Sequence, residues 1–195
     1  MQLAVPSFDC LVMEEDLLRR LIQEAKAGEI ASFERLIVLH ERWVLRVAQR
    51  LLLNREAAKD AAQDVFLRVH QKIRSVDEKQ DFRAWLYRIT ANICFDILRR
   101  AKNDMPIDLG WDPVACGDDP EKSAAALQAK QLVLAALKNL SPREREVIVL
   151  RDLEGYSSAE VARILGSSET TVRSQISTGR AKMKSFILAS RGRKA

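Results

Sequence analysis

A stretch rich in proline and glycine, residues 103–120, is the feature that most limits how this chain can fold. It holds three prolines and two glycines: Pro106, Pro113, Pro120, Gly110 and Gly117. Such residues end helices, because proline lacks an N–H donor and glycine loses more backbone freedom on ordering. On both sides of the stretch, apolar residues recur at three- and four-residue steps without the alternation of strands. We therefore expect an all-α chain of two small helical domains joined by this linker.

The periodic segments set the predicted boundaries. A length of 195 residues suits one large or two small domains, and the linker favours two. Fully extended, the linker could reach about 60 Å at about 3.3 Å per residue, so the domains could hold distant sites on one partner. The expected order is a loose leader (1–13), a first helical domain (14–102), the linker (103–120), a second helical domain (121–190) and a basic tail (191–195).

Residues 157–186 have the pattern of a short helix, a tight turn and a longer helix. Ser157 and Glu160 form a capping box at the start, and Gly166 ends the first helix. The second helix buries a stripe and leaves an outward face that is polar, cationic and free of carboxylates: Thr171, Arg173, Ser174, Gln175, Ser177, Thr178 and Arg180. This division predicts a helix-turn-helix that reads DNA in the major groove. An ordinary helical hairpin with a solvated face is the alternative.

Residues 82–102 are aromatic as well as basic. A buried face is expected, with four arginines standing off it: Arg83, Arg88, Arg99 and Arg100. Aromatic rings beside guanidinium groups can stack on exposed bases and hold phosphates, as proteins that bind single strands do. The alternative is that Trp85 and Phe95 belong only to the core.

Composition excludes several other classes. The net charge of +5 permits a polyanionic partner but does not require one. Cys10, Cys94 and Cys116 are too widely spaced for a zinc site or a disulfide framework, and Cys94 is expected to fill apolar space. We find no signal peptide, no membrane span and no catalytic motif, so we expect a cytoplasmic protein that is not an enzyme and uses no metal or cofactor.

Four stretches in order resemble the extracytoplasmic-function (group 4) sigma factors of bacterial RNA polymerase. Residues 60–73 (DAAQDVFLRVHQKI) are similar to that family's region-two helix, and residues 82–100 (FRAWLYRITANICFDILRR) to its promoter-melting segment. Residues 140–166 resemble the first part of region four, and residues 167–184 its recognition helix. The order, the spacing and the acidic linker agree with the family as well.

The resemblance implies a role for each stretch. The core-polymerase contact would lie on Asp60, Gln63, Asp64, Leu67 and Gln71. The melted promoter element, with a base flipped from the non-template strand, would be held by Ser75, Val76, Asp77, Glu78, Lys79, Gln80, Asp81, Trp85, Arg88 and Asn92. The upstream promoter element would be read in duplex form by Thr171, Arg173, Ser174, Gln175, Thr178, Arg180, Lys182 and Lys184. The family further implies an anti-sigma factor as a partner.

One departure from the family pattern concerns specificity. Where relatives commonly carry a basic or aromatic run, this chain has Gln175, Ile176, Ser177, Thr178 and Gly179. A glycine inside a helix costs up to about 1 kcal/mol relative to alanine, so it indicates either a close backbone approach to DNA or simple tolerance. Two other functions stay open from the residues alone: a helix-turn-helix regulator that binds duplex DNA without polymerase, and a helical adaptor whose basic helix binds acidic proteins.

Overall fold

The computed structural model describes residues 8–77, 81–103 and 124–192. Within these ranges the chain is helical and has no strand, which confirms the all-α prediction. The helices are α1 (Phe8–Ala27), α2 (Ile30–Leu52), α3 (Arg55–Lys72), α4 (Phe82–Asn103), α5 (Ala124–Lys138), α6 (Pro142–Ile148), α7 (Ser158–Leu165) and α8 (Glu169–Gly192). The linker predicted beyond Asn103 lies outside the described residues.

The first helix begins earlier than the sequence indicated. Residues 1–13 were expected to be a loose leader because Pro6 interrupts the periodicity, but α1 starts at Phe8. Proline is compatible with the region just before a helix, where its missing N–H costs nothing. The rest of the expected leader, residues 1–7, lies outside the described residues.

The ends of the next helices follow local chemistry. Leu53 closes α2 in the left-handed conformation, with φ of 57°. Asn54 then caps α3, since its side chain accepts a hydrogen bond from the backbone N–H of Ala57 at 2.8 Å. The break between α2 and α3 thus lies at Leu53 and Asn54.

The first domain packs around α2, which contacts α1, α3 and α4. The buried stripe of α2 runs through Leu36, Trp43, Val44, Val47, Ala48, Leu51 and Leu52. The buried face of α3 includes the small residues Ala58 and Ala61, which permit close helix packing. Trp85 and Phe95 of α4 are half-buried against this core, while Cys94 is fully buried in it.

The second domain is built on the packing of α6, α7 and α5 against α8. Ser141 and Glu144 form the predicted capping box of α6, with Pro142 in its first turn. A single π-helical turn, Val149–Leu153, follows α6 and leads through Gly155, whose φ is 83°, to α7.

The two domains pack against each other and share one apolar core. This core joins residues of α2 and α4, such as Val44 and Leu86, to residues of the second domain, such as Val147 and Val161. The linker prediction did not anticipate this contact, because periodicity assigns residues to a buried face without saying what covers that face.

Arg145 crosses between the domains at the ends of two helices. Its guanidinium donates to the carbonyl oxygens of Leu51 in α2 at 2.5 Å and of Leu137 in α5 at 3.2 Å, and to that of Leu140 at 3.4 Å. Helix C-terminal carbonyls carry partial negative charge, so they compensate a buried cation without a carboxylate. Burial still lowers the pKa of Arg145 to about 10.

Candidate nucleic-acid interface

The helix-turn-helix has the local geometry that its residues predicted. The Ser157 hydroxyl accepts from the Glu160 N–H, and the Glu160 carboxylate accepts from the Ser157 N–H, so both arms of the capping box are present. Gly166 ends α7 with φ of 59°, a left-handed conformation that favours glycine. The turn that follows delivers the chain into α8.

Helix α8 buries one stripe and exposes the opposite one. Val172, Ile176 and Gly179 are buried and face α6 and α7, as expected from their spacing. Thr171, Arg173, Ser174 and Thr178 are exposed on the other side. The Arg173 side chain is 70% exposed and its guanidinium lies 2.6 Å from the Glu169 carboxylate in the first turn. These four residues form an exposed polar surface on one side of α8.

The two basic residues further along α8 are held by carboxylates of other elements. Arg180 donates through Nε to Asp152 Oδ2 at 3.0 Å, and Lys182 Nζ lies 2.7 Å from Glu144 Oε1. The bond from Lys182 is the largest cause of a lowered pKa at Glu144. The face expected to be free of carboxylates therefore meets three of them: Glu169 of α8 itself, and Asp152 and Glu144 of other elements. Lys184 is exposed.

Gln175 differs from its neighbours on α8. Its side chain is half-buried, and its Oε1 atom is buried without a hydrogen-bond partner. An unpaired buried acceptor raises the free energy of the folded state. The centre of α8 therefore carries a polar atom, Gln175 Oε1, without a hydrogen-bond partner.

The loop between α3 and α4 carries part of the predicted melted-strand site. Ser75 and Asp77 are exposed, whereas Val76 is buried; Glu78, Lys79 and Gln80 lie outside the described residues. Asp81 caps α4, because its carboxylate accepts from the Arg83 N–H at 2.9 Å. This helix-capping contact of Asp81 was not predicted from the sequence.

The remaining residues of the predicted melted-strand site, Trp85, Arg88 and Asn92, lie on one side of α4. Trp85 is half-buried beside Phe82, with ring centroids 5.5 Å apart. Asn92 is exposed, and Arg88 is half-buried. Arg88 and Asn92 border a cleft of about 390 Å³ that α6 and α7 complete from the second domain. The structure therefore places Arg88 and Asn92 in one cleft, and the second domain forms the other wall of that cleft.

The predicted polymerase-contact residues form one row along α3. Asp60, Gln63, Asp64, Leu67 and Gln71 are all exposed. Leu67 is 63% exposed, which is high for a leucine on a helix whose opposite face is buried. Asp64, Leu67 and Gln71 also border a groove of about 250 Å³ against the C-terminal half of α4. The row has the mixed apolar and acidic character of a protein contact.

A carboxylate that the sequence reading missed lies between the domains. Glu154 follows the π turn, and its side chain is only 4% exposed. It accepts from Trp43 Nε1 at 2.6 Å and is paired with Arg50 and Arg83 of the first domain. No local motif marks this residue, because its partners are about a hundred positions away in the chain.

Three further observations concern metal ligands, the buried cysteine and membrane spans. In those ranges no three His, Cys, Asp or Glu side chains are grouped to hold a metal ion. Burial raises the pKa of Cys94 to about 12, so its thiol is unreactive, in agreement with a role as an apolar filler. None of the described helices is both long enough and apolar enough to span a bilayer.

Comparison with known families matches two parts of the chain. The family described as Sigma-70 region 2 matches residues 36–103, and Sigma-70, region 4 matches residues 130–183. The ECF RNA polymerase sigma factor SigW of Bacillus subtilis is 28% identical over 180 residues, covering 87% of this chain and 96% of the relative. The ECF RNA polymerase sigma factor SigM of Mycobacterium tuberculosis is 35% identical over 163 residues, covering 83% and 80%.

Solved structures agree with this assignment. CnrH in complex with the cytosolic domain of CnrY has a TM-score of 0.67 and 28% identity, covering 89% of this chain and 98% of that one. The sigma factor RpoE in complex with the anti-sigma factor NepR from Bartonella quintana has a TM-score of 0.66 and 25% identity, covering 80% and 96%. With a region-two domain, a region-four helix-turn-helix and relatives matched over most of their length, the chain belongs to the ECF sigma factors of RNA polymerase.

Proposed function

We propose that this protein is a promoter-specificity subunit, which binds core RNA polymerase, reads the upstream promoter element as duplex and holds the melted element as a single strand. It works in the cytoplasm together with the polymerase and makes or breaks no covalent bond itself. The pairing of a region-two domain with a region-four helix-turn-helix supports this proposal most strongly. A helix-turn-helix regulator that acts alone has no need for a region-two domain.

The α3 row is proposed as the contact with core polymerase. Leu67 would supply the apolar anchor, and Asp60 and Asp64 would meet basic residues of the polymerase around it. Interfaces commonly combine a buried apolar centre with a polar rim. Gln63 and Gln71 lie on the same face and would complete that rim.

The side of α4 that carries Trp85, Arg88 and Asn92 is proposed as the surface for melted DNA. An indole, a guanidinium and an amide supply stacking, phosphate contact and base hydrogen bonding, in that order. The loop that begins at Ser75 and ends at Asp81 would complete the pocket for a flipped base, with Val76, Asp77, Glu78, Lys79 and Gln80 between them.

The exposed side of α8 is proposed as the reader of the upstream element. Arg173 and Ser174 would lie nearest the bases, with Thr171 and Thr178 beside them. Gln175 would have to rotate to free its buried oxygen before it could contact a base. Lys184 would contact phosphate, and Arg180 and Lys182 would do so on exchanging their present carboxylate partners.

An anti-sigma factor is proposed as the inhibitor. The structures of CnrH and RpoE were each solved with a bound partner, and for RpoE that partner is described as an anti-sigma factor. Both solved chains are similar to this one over most of its length. Such an inhibitor would act on this protein by covering its polymerase contacts.

Run-off transcription with purified core polymerase tests the proposal. Asp64→Ala and Leu67→Ala should each weaken co-purification with core polymerase by about tenfold, the loss typical of a residue central to an interface. Run-off product should fall in parallel, while binding to upstream duplex DNA should not change. Glu34→Ala is the matched control, since it removes an exposed carboxylate from α2, away from the row.

Two outcomes would contradict the proposal. If both α3 variants bound polymerase as the wild-type protein does, the row would not be the contact. If the free protein protected promoter DNA from cleavage equally with and without polymerase, a regulator that acts alone would be the better description.

A further inference from the structure

Glu154 is a buried carboxylate whose partners all belong to the other domain. Its side chain is 4% exposed, and it follows the π turn of the region-four domain. Trp43 Nε1 donates to one oxygen at 2.6 Å, Arg83 lies 3.4 Å from the same oxygen, and Arg50 pairs with the other. Burying a carboxylate to this degree is costly unless it is hydrogen-bonded and paired.

The receiving site on the first domain is organised around Trp43. The Arg83 guanidinium lies over the Trp43 ring, 5.0 Å from its centroid, within the range of a cation–π contact. The indole N–H and both arginines therefore converge on one point of the region-two surface. These three groups together bind one carboxylate, that of Glu154.

A second contact between the domains uses Arg88. Its Nε donates to the Ile164 carbonyl oxygen at 3.0 Å, and its Nη2 donates to the Arg163 carbonyl oxygen at 3.2 Å. Both acceptors are at the C-terminal end of α7, where unpaired carbonyls carry partial negative charge. These oxygens bond the guanidinium as the phosphate oxygens of a DNA strand would.

We propose that Glu154 is a latch which holds the free subunit closed, with α7 lying on the melted-strand surface of α4. In the closed form Arg88 is bonded to carbonyls and cannot hold a strand phosphate in the same position. The reading face of α8 stays exposed, with the Arg173 side chain 70% exposed, so the closed form retains its duplex reader. This inference rests on the proposed role of Arg88 in holding melted DNA.

The latch predicts a division between the two kinds of DNA binding. Closed protein should bind upstream duplex normally and a short single strand poorly. Opening separates Glu154 from its three donors and Arg88 from its two carbonyls. It also separates Arg145 from the Leu51 carbonyl oxygen and parts the apolar core that the domains share. The apparent affinity for a single strand is reduced by the fraction of molecules that are closed, so a variant that opens the subunit should raise it.

Substitutions on both sides of the latch test this. Glu154→Gln removes the charge from the second domain, and Arg50→Gln removes a partner from the first. Each should increase the radius of gyration measured by small-angle X-ray scattering. Each should also raise the affinity for a fluorescent single-stranded oligonucleotide with a non-template promoter sequence by about tenfold, as measured by anisotropy.

Asp152→Asn is the matched control. It removes a carboxylate two positions from Glu154 that pairs with Arg180 inside the second domain. The control should keep the radius of gyration and the single-strand affinity of the wild-type protein. Upstream duplex binding by the Glu154 and Arg50 variants, unchanged from wild type, reports that the second domain remains folded.

The outcomes separate this inference from the proposed function. If both latch variants stay as compact as the wild-type protein, the latch is refuted. If they open and single-strand affinity does not rise, the latch is supported and the role of Arg88 in holding melted DNA is refuted. If Glu154→Gln loses duplex binding through unfolding, the Arg50→Gln variant decides between these results.

Discussion

Gly179 lies where α8 packs against Ile148 of α6, and replacing it gives a sharp test of this packing. A Cβ atom at this position would lie 2.9 Å from Ile148 Cγ1 and 3.2 Å from Ile148 Cδ1. Favourable carbon–carbon contacts are about 3.5–4.0 Å, so something must move. Ile148 is 1% exposed and has little space to move into. The glycine therefore permits a close approach to α6, which the sequence reading did not consider.

The expected effect of Gly179→Ala is the difference between two terms. Alanine in a helix gains about 1 kcal/mol over glycine in propensity. Forcing a methyl group into a packed core costs about 1–3 kcal/mol. We expect a net loss of up to about 2 kcal/mol in the free energy of unfolding, measured by urea denaturation and circular dichroism.

In an Ile148→Ala background, the expected effect of Gly179→Ala on the free energy of unfolding has the opposite sign. Ile148→Ala removes both atoms that the new methyl group would meet, at a cost of its own of about 2–5 kcal/mol. In that background Gly179→Ala should stabilise the protein by about 1 kcal/mol, because only the propensity term remains. Ser177→Ala, at an exposed position of the same helix, is the control and should change stability by less than about 0.5 kcal/mol in either background. Equal effects of Gly179→Ala in both backgrounds would refute the packing argument.

Two further substitutions address the second domain. Arg173→Ala should weaken binding to upstream duplex by about 1–3 kcal/mol in a mobility-shift assay and leave polymerase co-purification intact; loss of both would argue against separate roles. Glu144→Gln keeps the capping box with Ser141 but loses the ion pair to Lys182, so it should cost about 0.2–1 kcal/mol at neutral pH. Because Lys182 lowers the pKa of Glu144 below 4.5, wild-type stability from this pair is present above that pH and lost as pH falls through the folded-state pKa. Urea titrations should therefore converge for variant and wild type in acid, and a constant difference at every pH would contradict the assignment.

Features that depend on neighbouring residues were predicted well from the sequence. The capping boxes at Ser141 and Ser157 and the left-handed turn at Gly166 involve contacts within a few positions. The buried stripe of α8 follows from a period of three to four residues, and Val172 and Ile176 lie on it as expected. Local periodicity and capping are enough to place such features.

Features that depend on distant residues were not predicted. Arg180 and Lys182 were predicted to contact DNA, and their ion pairs with Asp152 and Glu144 were not predicted because those carboxylates belong to other elements. The contacts of Glu154 were not predicted because its donors come from α2 and α4. When two partners belong to elements far apart in the chain, the sequence contains no fixed spacing between them that a motif could detect.

The sequence by itself determined that this protein is helical, that it carries a helix-turn-helix and that it resembles ECF sigma factors, because each of these depends on periodicity, caps and local motifs. Only the tertiary structure decided that the two domains close on each other, that Arg88 is bonded to the end of α7 and that Gly179 is packed against Ile148. Those contacts join positions far apart in the chain, and their energies depend on burial and geometry, which exist only once the helices are packed.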